Sequence, residues 1–569
     1  MLVSAKAWSI DFSAHGYYRL RFEYTHDLDL QRPNDGVVPG DPSNDSNDRF
    51  GTIAFAQQRF RLNPALKLND HISFHGQIDF LDNLLFGQSD VVGLQISNPI
   101  TGTITLPDAN GPFGVIGSTG GDALGAGGGN LNVRRIYVDL LTAGGKFRVG
   151  RQPSHWGLGI FTNDGDSREG DFGDTFDRVL YLAGLDLGKT GRMNIGFVYD
   201  FAFENTRDPS LFGLDDGVDS NWNDAMQGGM ILLYQRPNFE IGTFSALRFR
   251  DGDDGQATTT ATFFEDTDGD GTPDAGVEGP AGIDGDTLLY TIDLYSRFHF
   301  LKHYTLGIEG VYIGGKLAPG IAVDAVVLDD AAQAGIDSPL PAPVTLPLTG
   351  TQNDLAIWLA ALEFDANWDF GGNVELKAGF ASGDSAPLSS RITQLGFRPD
   401  YDLGLLLFDV PLGTSPAVRV AGITEEGRKP MTPNYINNAI YGAIGYKQEF
   451  DIRSGVPWAE DFMVGVKFIT AYAPARNLDI DFQEIAGVPG LPHVVNASKW
   501  YGWEVDVSVE ATFFEFMHWM TTAGAFFPGP LYDIKNDALS RAAAGILDPI
   551  LFDDADIAIA GKTTFFFEF

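Results

Sequence analysis

Arginines at alternate positions carry the clearest chemistry in this chain. A β-strand points successive side chains to opposite faces, so arginines two residues apart share a face. A guanidinium stays charged and binds carboxylate or phosphate groups through parallel hydrogen bonds. On neighbouring strands, such arginines would form a wall that favours anionic solutes. The candidates are Arg19, Arg21, Arg59, Arg61, Arg135 and Arg148.

Acidic residues fall on the same predicted face and leave a second interpretation open. Glu23 follows the first two arginines, and Asp139 lies close to Arg148 in the chain. Opposite charges on one face can pair across an interior and fix its shape without selecting a solute. Further members of this acidic group are Asp293, Glu363, Asp365 and Glu375. The sequence therefore predicts either a charge-selective wall or a paired, structural one.

An acidic stretch follows the early arginine-bearing segments. Between residues 163 and 177, Arg168 is the single basic residue. If the stretch folds inward, it would face the arginines and form a constriction that selects by size and charge. The alternative is a solvated outer loop. The candidate constriction residues are Asp164, Asp166, Asp171 and Asp174, and the same stretch holds Glu169 and Asp177.

A second acidic segment, 251–286, holds eleven Asp and Glu and no Lys or Arg. Part of it places carboxylates at alternate positions with glycines between them, a spacing that wraps oxygen ligands around Ca²⁺. Val277 stands where a complete EF-hand has a glutamate, so the pattern is closer to an isolated Asp-rich calcium loop. The alternative is an acidic loop without a ligand. The candidate metal ligands are Asp266, Asp268, Asp270 and Asp274.

The chain offers little for catalysis. It contains no Cys, which removes disulfides, thiolate metal sites and Cys nucleophiles. It also lacks a G-x-S-x-G motif, a P-loop and a dinucleotide-binding motif. We therefore predict that the protein is not an enzyme and, apart from the candidate Ca²⁺, carries no cofactor.

The elements that position these residues are strands, because hydrophobicity repeats with period two. Tyr18, Leu20, Phe22 and Tyr24 share one face of the first segment, and apolar or small residues recur at odd positions over 557–569. The pattern recurs in about eighteen segments of roughly 9 to 13 residues, the length that crosses a bilayer at a tilt. An apolar face toward lipid would leave the arginine face toward water.

The connections between these segments alternate in length. We count nine long connections, among them 84–130, 251–286 and 383–436, and about eight short turns rich in Gly, Pro or Asn. This sorting predicts an all-β fold: one transmembrane antiparallel up-and-down β-barrel spanning 1–569. Its long loops would be external, its short turns periplasmic, and its closing strand would cover 557–569.

Composition narrows the class of protein further. The net charge of −38 argues against nucleic acid as a partner, since phosphate binding needs a basic surface. No apolar run approaches the roughly 18 residues of a transmembrane helix. Residues 1–8 lack the pattern of a signal peptide, so we expect one to have been removed before the chain reached the bacterial outer membrane.

Short motifs add a family resemblance. The stretches Gln58 to Leu62, Phe147 to Gln152 and Ala378 to Asp384 resemble outer-membrane barrels of the alginate-export and related porin type. Residues 151–159 with 163–166 resemble an uncharacterised barrel family of deltaproteobacterial and myxobacterial type. The resemblance implies an outer-membrane channel of about eighteen strands. In exporters of the alginate type, it implies a basic lumen that guides a polyuronate.

We predict an outer-membrane, porin-like channel for passive diffusion of small hydrophilic solutes, anionic ones included. Two alternatives stay open: an exporter of an anionic polysaccharide, and a barrel that anchors a structural or adhesive surface protein. A lumen plugged by the loops 84–130 and 383–436 would favour the anchor. The expected partners are outer-membrane lipid and the solutes, and the sequence leaves a monomer and a trimer equally open.

Overall fold

Eighteen long strands form a closed barrel in the computed structural model. The structure describes residues 10–27, 30, 53–85, 95–98, 102–105, 131–203, 225–250, 262–263, 277–278, 287–317, 353–383, 391–410, 412, 435–453, 455–456, 458–475, 499–532, 534–535, 552–553 and 556–569. In chain order the barrel strands are β1 (Asp11–His26), β2 (Ile53–Asn69), β3 (Ile72–Leu85), β4 (Leu131–Thr142), β5 (Gly145–Pro153), β6 (Thr175–Asp186), β7 (Arg192–Phe203), β8 (Ala225–Arg236), β9 (Phe239–Arg250), β10 (Thr287–Phe300), β11 (Tyr304–Leu317), β12 (Asn353–Asn367), β13 (Gly372–Ala381), β14 (Ala439–Phe450), β15 (Ala459–Tyr472), β16 (Trp500–Phe513), β17 (Met517–Pro528) and β18 (Ala558–Glu568).

Each strand pairs antiparallel with the strands before and after it in the chain. β1 pairs with β2 and also with β18, which closes the sheet on itself. A two-residue segment, Arg391–Ile392, pairs parallel with β12 at the barrel edge and is the nineteenth member of the sheet. The predicted fold class, an antiparallel barrel of about eighteen strands, is confirmed.

The connections sort by length as the sequence predicts. The eight turns at one end of the barrel have two to eight residues, whereas each of the nine connections at the other end has at least 21. The predicted turn between Thr142 and Gly145 is one of the tight ones. The first and last strands both meet the short-turn end. Within the described part of the chain, no helix is long and apolar enough to cross a bilayer.

The outer face of the barrel is apolar. Ile136 and Leu294 leave 62% and 59% of their surface exposed, and Phe22 and Tyr24 lie exposed on the outside of β1. Toward the short turns, aromatic rings stack in pairs: Phe300 on Tyr304, Trp368 on Phe370, and Trp458 on Phe514. An apolar belt bordered by aromatic residues is the surface that a membrane barrel presents to lipid.

The closing seam joins the two ends of the chain. The Phe569 N–H donates to the Gly16 carbonyl at 3.1 Å, and the Gly16 N–H donates back to Phe569 at 3.0 Å. The Phe569 ring also stacks on Phe60 with centroids 5.5 Å apart. A Cβ at position 16 would collide with the Arg61 carbonyl oxygen, so this close approach requires glycine.

The largest buried apolar cluster lies inside the barrel. Residues 391–410, which we call loop B, fold into the interior and bury Phe397, Leu406 and Leu407 against wall residues such as Leu359 and Ile469. Residues 391–410 of the predicted long connection 383–436 thus lie inside the barrel, the inward course that the sequence left open as an alternative. Their apolar side chains leave water by packing on the inner wall, which a purely external loop could not offer.

Candidate functional site

The predicted arginine wall exists on the inner face of β1 and β2. Arg19 lies directly opposite Arg59 in the register, and Arg61 lies two pairs further along, opposite Tyr17. All four guanidiniums of these two strands are buried: Arg19, Arg21, Arg59 and Arg61 are at most 3% exposed. Strand alternation explains this placement, because the intervening residues of β1 carry the apolar outer face.

The acidic stretch folds inward and lies against this wall. Residues 154–174, which we call loop A, connect β5 to β6. Asp171 reaches three arginines: its Oδ1 is 2.5 Å from Arg19 Nη2 and 2.9 Å from Arg59 Nη2, and its Oδ2 is 2.5 Å from Arg21 Nη1. The carboxylate therefore compensates like charges that would otherwise repel one another across adjacent strands.

The remaining charges of the wall are paired as well. Arg61 binds Asp79 through two hydrogen bonds of 2.7 and 2.8 Å, and Arg59 Nε donates to Asp82 at 2.5 Å. Arg135 Nη1 is 2.7 Å from Asp166 of loop A. Most of the hydrogen-bonding capacity of the wall is thus used within the protein.

Arg134 belongs to the wall although its position in the sequence alternation points it outward. The pairing of β3 with β4 shifts between Gln77 and Ile78, and this β-bulge lets two consecutive residues of β4 face inward. Arg134 Nη1 lies 3.7 Å from Asp79. The bulge changes the phase of the period-two pattern: the outward apolar residues are Leu131 and Val133 before Arg134 and Ile136 after Arg135. This change of phase is the signal that could have identified Arg134 as an inward residue.

Arg148, Asp139 and Glu23 lie at the edges of the wall. Arg148 binds Asp139 through two hydrogen bonds of 2.7 and 2.9 Å near the turn that joins β4 to β5. Glu23 lies 3.6 Å from Arg21 and accepts a hydrogen bond from Gln57 at 3.1 Å. The other predicted inward acids also have partners or neighbours on the inner face, where Glu363 and Glu375 both contact Lys377.

Loop A and loop B contact each other inside the barrel. The Asp400 carboxylate accepts hydrogen bonds from the backbone N–H groups of Asp171 and Phe172 at 2.9 to 3.0 Å. Arg398 forms an ion pair with Asp174, and its backbone N–H donates to the Ile160 carbonyl at 2.9 Å. Asp164, in contrast, accepts a local hydrogen bond from the Asp166 N–H at 3.1 Å.

Carboxylates on the inner wall accept hydrogen bonds from the backbone of both loops. Glu504 on β16 accepts hydrogen bonds from three consecutive backbone N–H groups of loop B, Leu405 to Leu407, at 2.6 to 2.9 Å. Glu309 on β11 accepts a hydrogen bond from the Leu158 N–H of loop A. Trp156 of loop A packs on Phe244 and Tyr295 of the wall. The two loops are therefore anchored on different strands of the inner wall.

The carboxyl groups of the loops have divergent pKa values. Burial alone would raise the pKa of Asp171, but Arg19, Arg21 and Arg59 outweigh it and hold that pKa well below the usual range. Burial also opposes ionisation of Glu169, yet Arg21 and Lys562 lower its pKa to about 2. Burial raises the pKa of Asp400 to about 7, and the negative charges of Asp171 and Asp402 act in the same direction. The hydrogen bonds from the Asp171 and Phe172 N–H groups act against this shift.

Water-accessible charges remain beside the loops. Asp402 of loop B is exposed, and on the inner wall the side chains of Lys377, Lys467 and Lys562 are 17 to 26% exposed. Lys562 lies 3.4 Å from Glu169 of loop A, and Lys467 lies 3.4 Å from Glu375. Charges of both signs therefore face the space that the loops leave open.

The predicted calcium ligands cannot be placed. Asp266, Asp268, Asp270 and Asp274 lie outside the described residues, as does most of 84–130. Among the residues that the structure does describe, no group of three or more His, Cys, Asp or Glu side chains is arranged to hold a metal ion. The calcium loop stays a prediction.

A closed antiparallel barrel with an apolar exposed exterior and a charged interior defines a transmembrane protein of the bacterial outer-membrane type. No protein-family model matches the chain, and no curated protein does.

Solved structures with full-length similarity are outer-membrane barrels. A BenF-like porin from Pseudomonas fluorescens Pf-5 has 12% identity and a TM-score of 0.43 over 98% of both chains. OccK8 (OprE) from Pseudomonas aeruginosa has 10% identity and a TM-score of 0.42 over 98% of both. An anion-selective porin from Comamonas acidovorans has 9% identity and a TM-score of 0.34 over 99% of this chain and 100% of its own. Identities and TM-scores this low give no information about the solute or mechanism of this chain.

Proposed function

We propose that this protein is a channel of the bacterial outer membrane through which small hydrophilic solutes, anionic ones included, diffuse passively. The observation that carries the proposal is the distribution of charge: the inner face of the closed sheet is lined with ionised side chains, and the outer face is apolar. A charged inner face is stable when water fills the space beside it, and water-filled space inside a barrel is a path across the membrane.

The narrowest part of the path lies between loop A and loop B. Asp402 faces this space from loop B, and Lys562 faces it from β18 beside the buried Glu169 carboxylate of loop A. A narrow space lined by charges of both signs excludes large solutes by its width and lets small polar solutes keep their hydration. We infer that size is the main selection and that charge preference is modest.

The arginine wall has an indirect role in this proposal. Arg19, Arg21 and Arg59 hold loop A through Asp171, so they set the width of the path more than they contact the solute. While loop A is docked, Asp171 neutralises much of their charge, so they add little anion preference to the passage. Withdrawal of loop A would expose the guanidiniums and strengthen that preference.

Two other functions have specific support. Loop B packs firmly inside the barrel, which favours a closed barrel that anchors surface loops. Lys377, Lys467 and Lys562 lie on the inner wall, and a basic path of this kind supports export of an anionic polysaccharide, as the sequence resemblance implies. The channel proposal accounts for both features with a narrow passage.

Swelling of liposomes that contain the purified protein distinguishes these functions. We expect neutral sugars and small carboxylates to enter, with a rate that falls steeply as solute size increases. Passage of oligouronates as fast as monosaccharides would support the exporter instead. Liposomes that behave like protein-free vesicles with every solute would support the anchor and contradict the channel.

A further inference from the structure

Glu309 on the inner wall is enclosed by a glycine turn of loop A. The Leu158 N–H donates to its carboxylate, and the preceding Gly157 has a φ of 63°. A Cβ at position 157 would overlap the Glu309 carboxyl group, so only glycine allows this close approach. The Glu309 side chain is fully buried, and the turn belongs to the stretch 151–159 that the sequence resemblance covers.

Loop B meets the wall through the same arrangement. Glu504 is fully buried and accepts hydrogen bonds from three consecutive N–H groups, those of Leu405 to Leu407. Gly404 precedes them, and a Cβ there would lie 2.8 Å from Glu504 Oε1 and would overlap Ile469. In each loop, a glycine followed directly by peptide N–H donors thus meets one wall glutamate. We call these contacts seat A (Glu309 with Leu158) and seat B (Glu504 with Leu405 to Leu407).

The loops compensate the two buried glutamates. Among the residues that the structure describes, no Lys, Arg or His side chain pairs with either one. An aspartate lies beside each instead, Asp293 beside Glu309 and Asp506 beside Glu504. A buried carboxyl group without a cation is costly unless its oxygens accept hydrogen bonds. Docking of a loop supplies those bonds to its own glutamate.

The hydrogen bonds of the seats fix where each loop lies. Apolar packing is non-directional, so it holds a loop on the inner wall without selecting one register. A single acceptor that meets defined N–H groups selects one register, because hydrogen bonds depend on distance and angle. The contacts between the two loops involve other residues of loop B, Arg398 and Asp400. The two seats are therefore separate from each other.

We propose that Glu309 and Glu504 are positioning residues of the passage, each of which fixes one loop independently of the other. The inference rests on the proposed channel function. Loss of either glutamate lets its own loop move off the wall, while the other loop keeps its seat. The passage then admits larger solutes, although neither glutamate contacts a solute.

Thiol labelling measures the two seats separately. The chain has no Cys, so Thr162→Cys reports on loop A, and Ile469→Cys, next to Gly404, reports on loop B. Both positions are buried, and the Thr162 hydroxyl has no hydrogen-bond partner in the described part of the chain. Glu309→Met removes the acceptor at similar length, so we expect about tenfold faster labelling at position 162 and no change at position 469. Glu504→Met should do the reverse.

Glu510→Met is the matched control for these variants. This glutamate lies on the same strand as Glu504 but pairs with Lys447, so its loss should change neither labelling rate. Equal rises at both reporters in either seat variant, or no rise at the reporter of the altered seat, would overturn the proposal.

Glycine substitutions test the seats with every charge retained. Gly157→Ala and Gly404→Ala place a Cβ against the glutamate of each seat, so each should reproduce the labelling pattern of the corresponding Met variant. Both lie in loops and leave the barrel strands unchanged, which keeps the test decisive if a Met variant fails to fold. Gly442→Ala, where nothing lies within 4 Å of the added Cβ, should behave like the wild type. Wild-type labelling in both loop variants would overturn the proposal.

Liposome swelling connects the seats to the passage. We expect each Met variant to admit solutes that the wild type excludes. An unchanged size limit in variants with faster labelling would overturn the positioning role. Exclusion of every solute by wild type and variants alike, with the reciprocal labelling pattern intact, would contradict the channel function and leave the separate seats supported.

Discussion

At the scale of single residues, the interior contains two kinds of carboxylate. Asp171 and Asp79 meet guanidiniums at short distances and complete a balanced cluster on β1 to β4. Asp400 and Glu504 meet backbone N–H groups and lack such partners among the described residues. The first kind neutralises guanidiniums of the wall, and the second kind accepts hydrogen bonds from peptide N–H groups of a loop.

Asp171→Asn should release loop A from the arginine wall. The substitution leaves Arg19, Arg21 and Arg59 buried with insufficient negative charge, and removal of one partner from a buried ion pair costs about 3 to 5 kcal/mol. We expect a lower melting temperature in detergent and a reversal potential shifted toward anions in a salt gradient. Asp177→Asn, which breaks a half-exposed pair with Arg151, should cost about 0.2 to 1 kcal/mol and leave the reversal potential unchanged. Equal effects of the two variants would contradict the role of Asp171.

Glu169 should stabilise the barrel at neutral pH and lose this effect only in strong acid. Its pKa falls from 4.5 to about 2 in the folded protein, so its contribution is complete above about pH 4.5 and disappears as the pH falls through about 2. Melting temperatures measured from pH 8 to pH 2 should fall less for Glu169→Gln than for the wild type. Parallel curves for the two proteins would show that Glu169 is not held by Arg21 and Lys562.

The sequence offered an inward acidic stretch facing the arginines as one of two alternatives, but it did not predict the contacts between loop A and loop B. Alternation with Tyr18, Leu20 and Phe22 placed Arg19 and Arg21 on the inner face correctly. The partners of loop A lie elsewhere: Asp171 and Asp400 are separated by 229 residues, and local periodicity carries no information about such contacts. The roles assigned to the wall and the loop stay predictions.

At the scale of elements, loop A is the segment that we propose narrows the barrel. It leaves β5, lies against the inner wall and returns to β6. The Ser154 N–H donates to the Asp174 carbonyl at 3.0 Å, which joins the two ends of the loop. The acidic composition of 163–177 is compatible with a constriction and with an outer loop. Its inward course depends on the arginines of other strands, so the loop alone could not decide it.

Gly173→Ala should unseat loop A without changing any charge. A Cβ at this position would collide with the Asp164 carbonyl oxygen and approach the Arg134 guanidinium. Overpacking of this kind costs about 1 to 3 kcal/mol, and withdrawal of the loop is the simplest relief. We expect higher single-channel conductance. Gly228→Ala, where nothing lies within 4 Å of the added Cβ, is the matched control and should conduct like the wild type. Unchanged conductance in both variants would show that loop A does not limit the path.

At the scale of the whole molecule, closure was the easiest property to predict. Eighteen alternating segments and connections sorted by length define a barrel because each strand must pair on both edges in lipid. The period-two alternation did not predict that loop B fills part of the barrel interior. Loop B carries the apolar stretch Leu403 to Phe408, whose composition indicates burial but not the surface against which it packs.

Gly16→Ala should strain β1 where it meets β2 and, through the Phe569 ring, at the seam with β18. The added Cβ collides with the Arg61 carbonyl oxygen at the point where Gly16 and Phe569 exchange backbone hydrogen bonds. We expect less of the compact, heat-modifiable form on SDS gels. Gly561→Ala on β18 meets nothing within 4 Å and should fold like the wild type. Equal folding of both variants would contradict the seam geometry.

Current through single molecules in a planar bilayer tests the central claim most directly. If water fills a continuous path past loop A and loop B, the wild-type protein at neutral pH will produce discrete, ohmic current steps. A correctly folded, heat-modifiable protein that inserts into the bilayer and passes no measurable current at any pH would contradict the account.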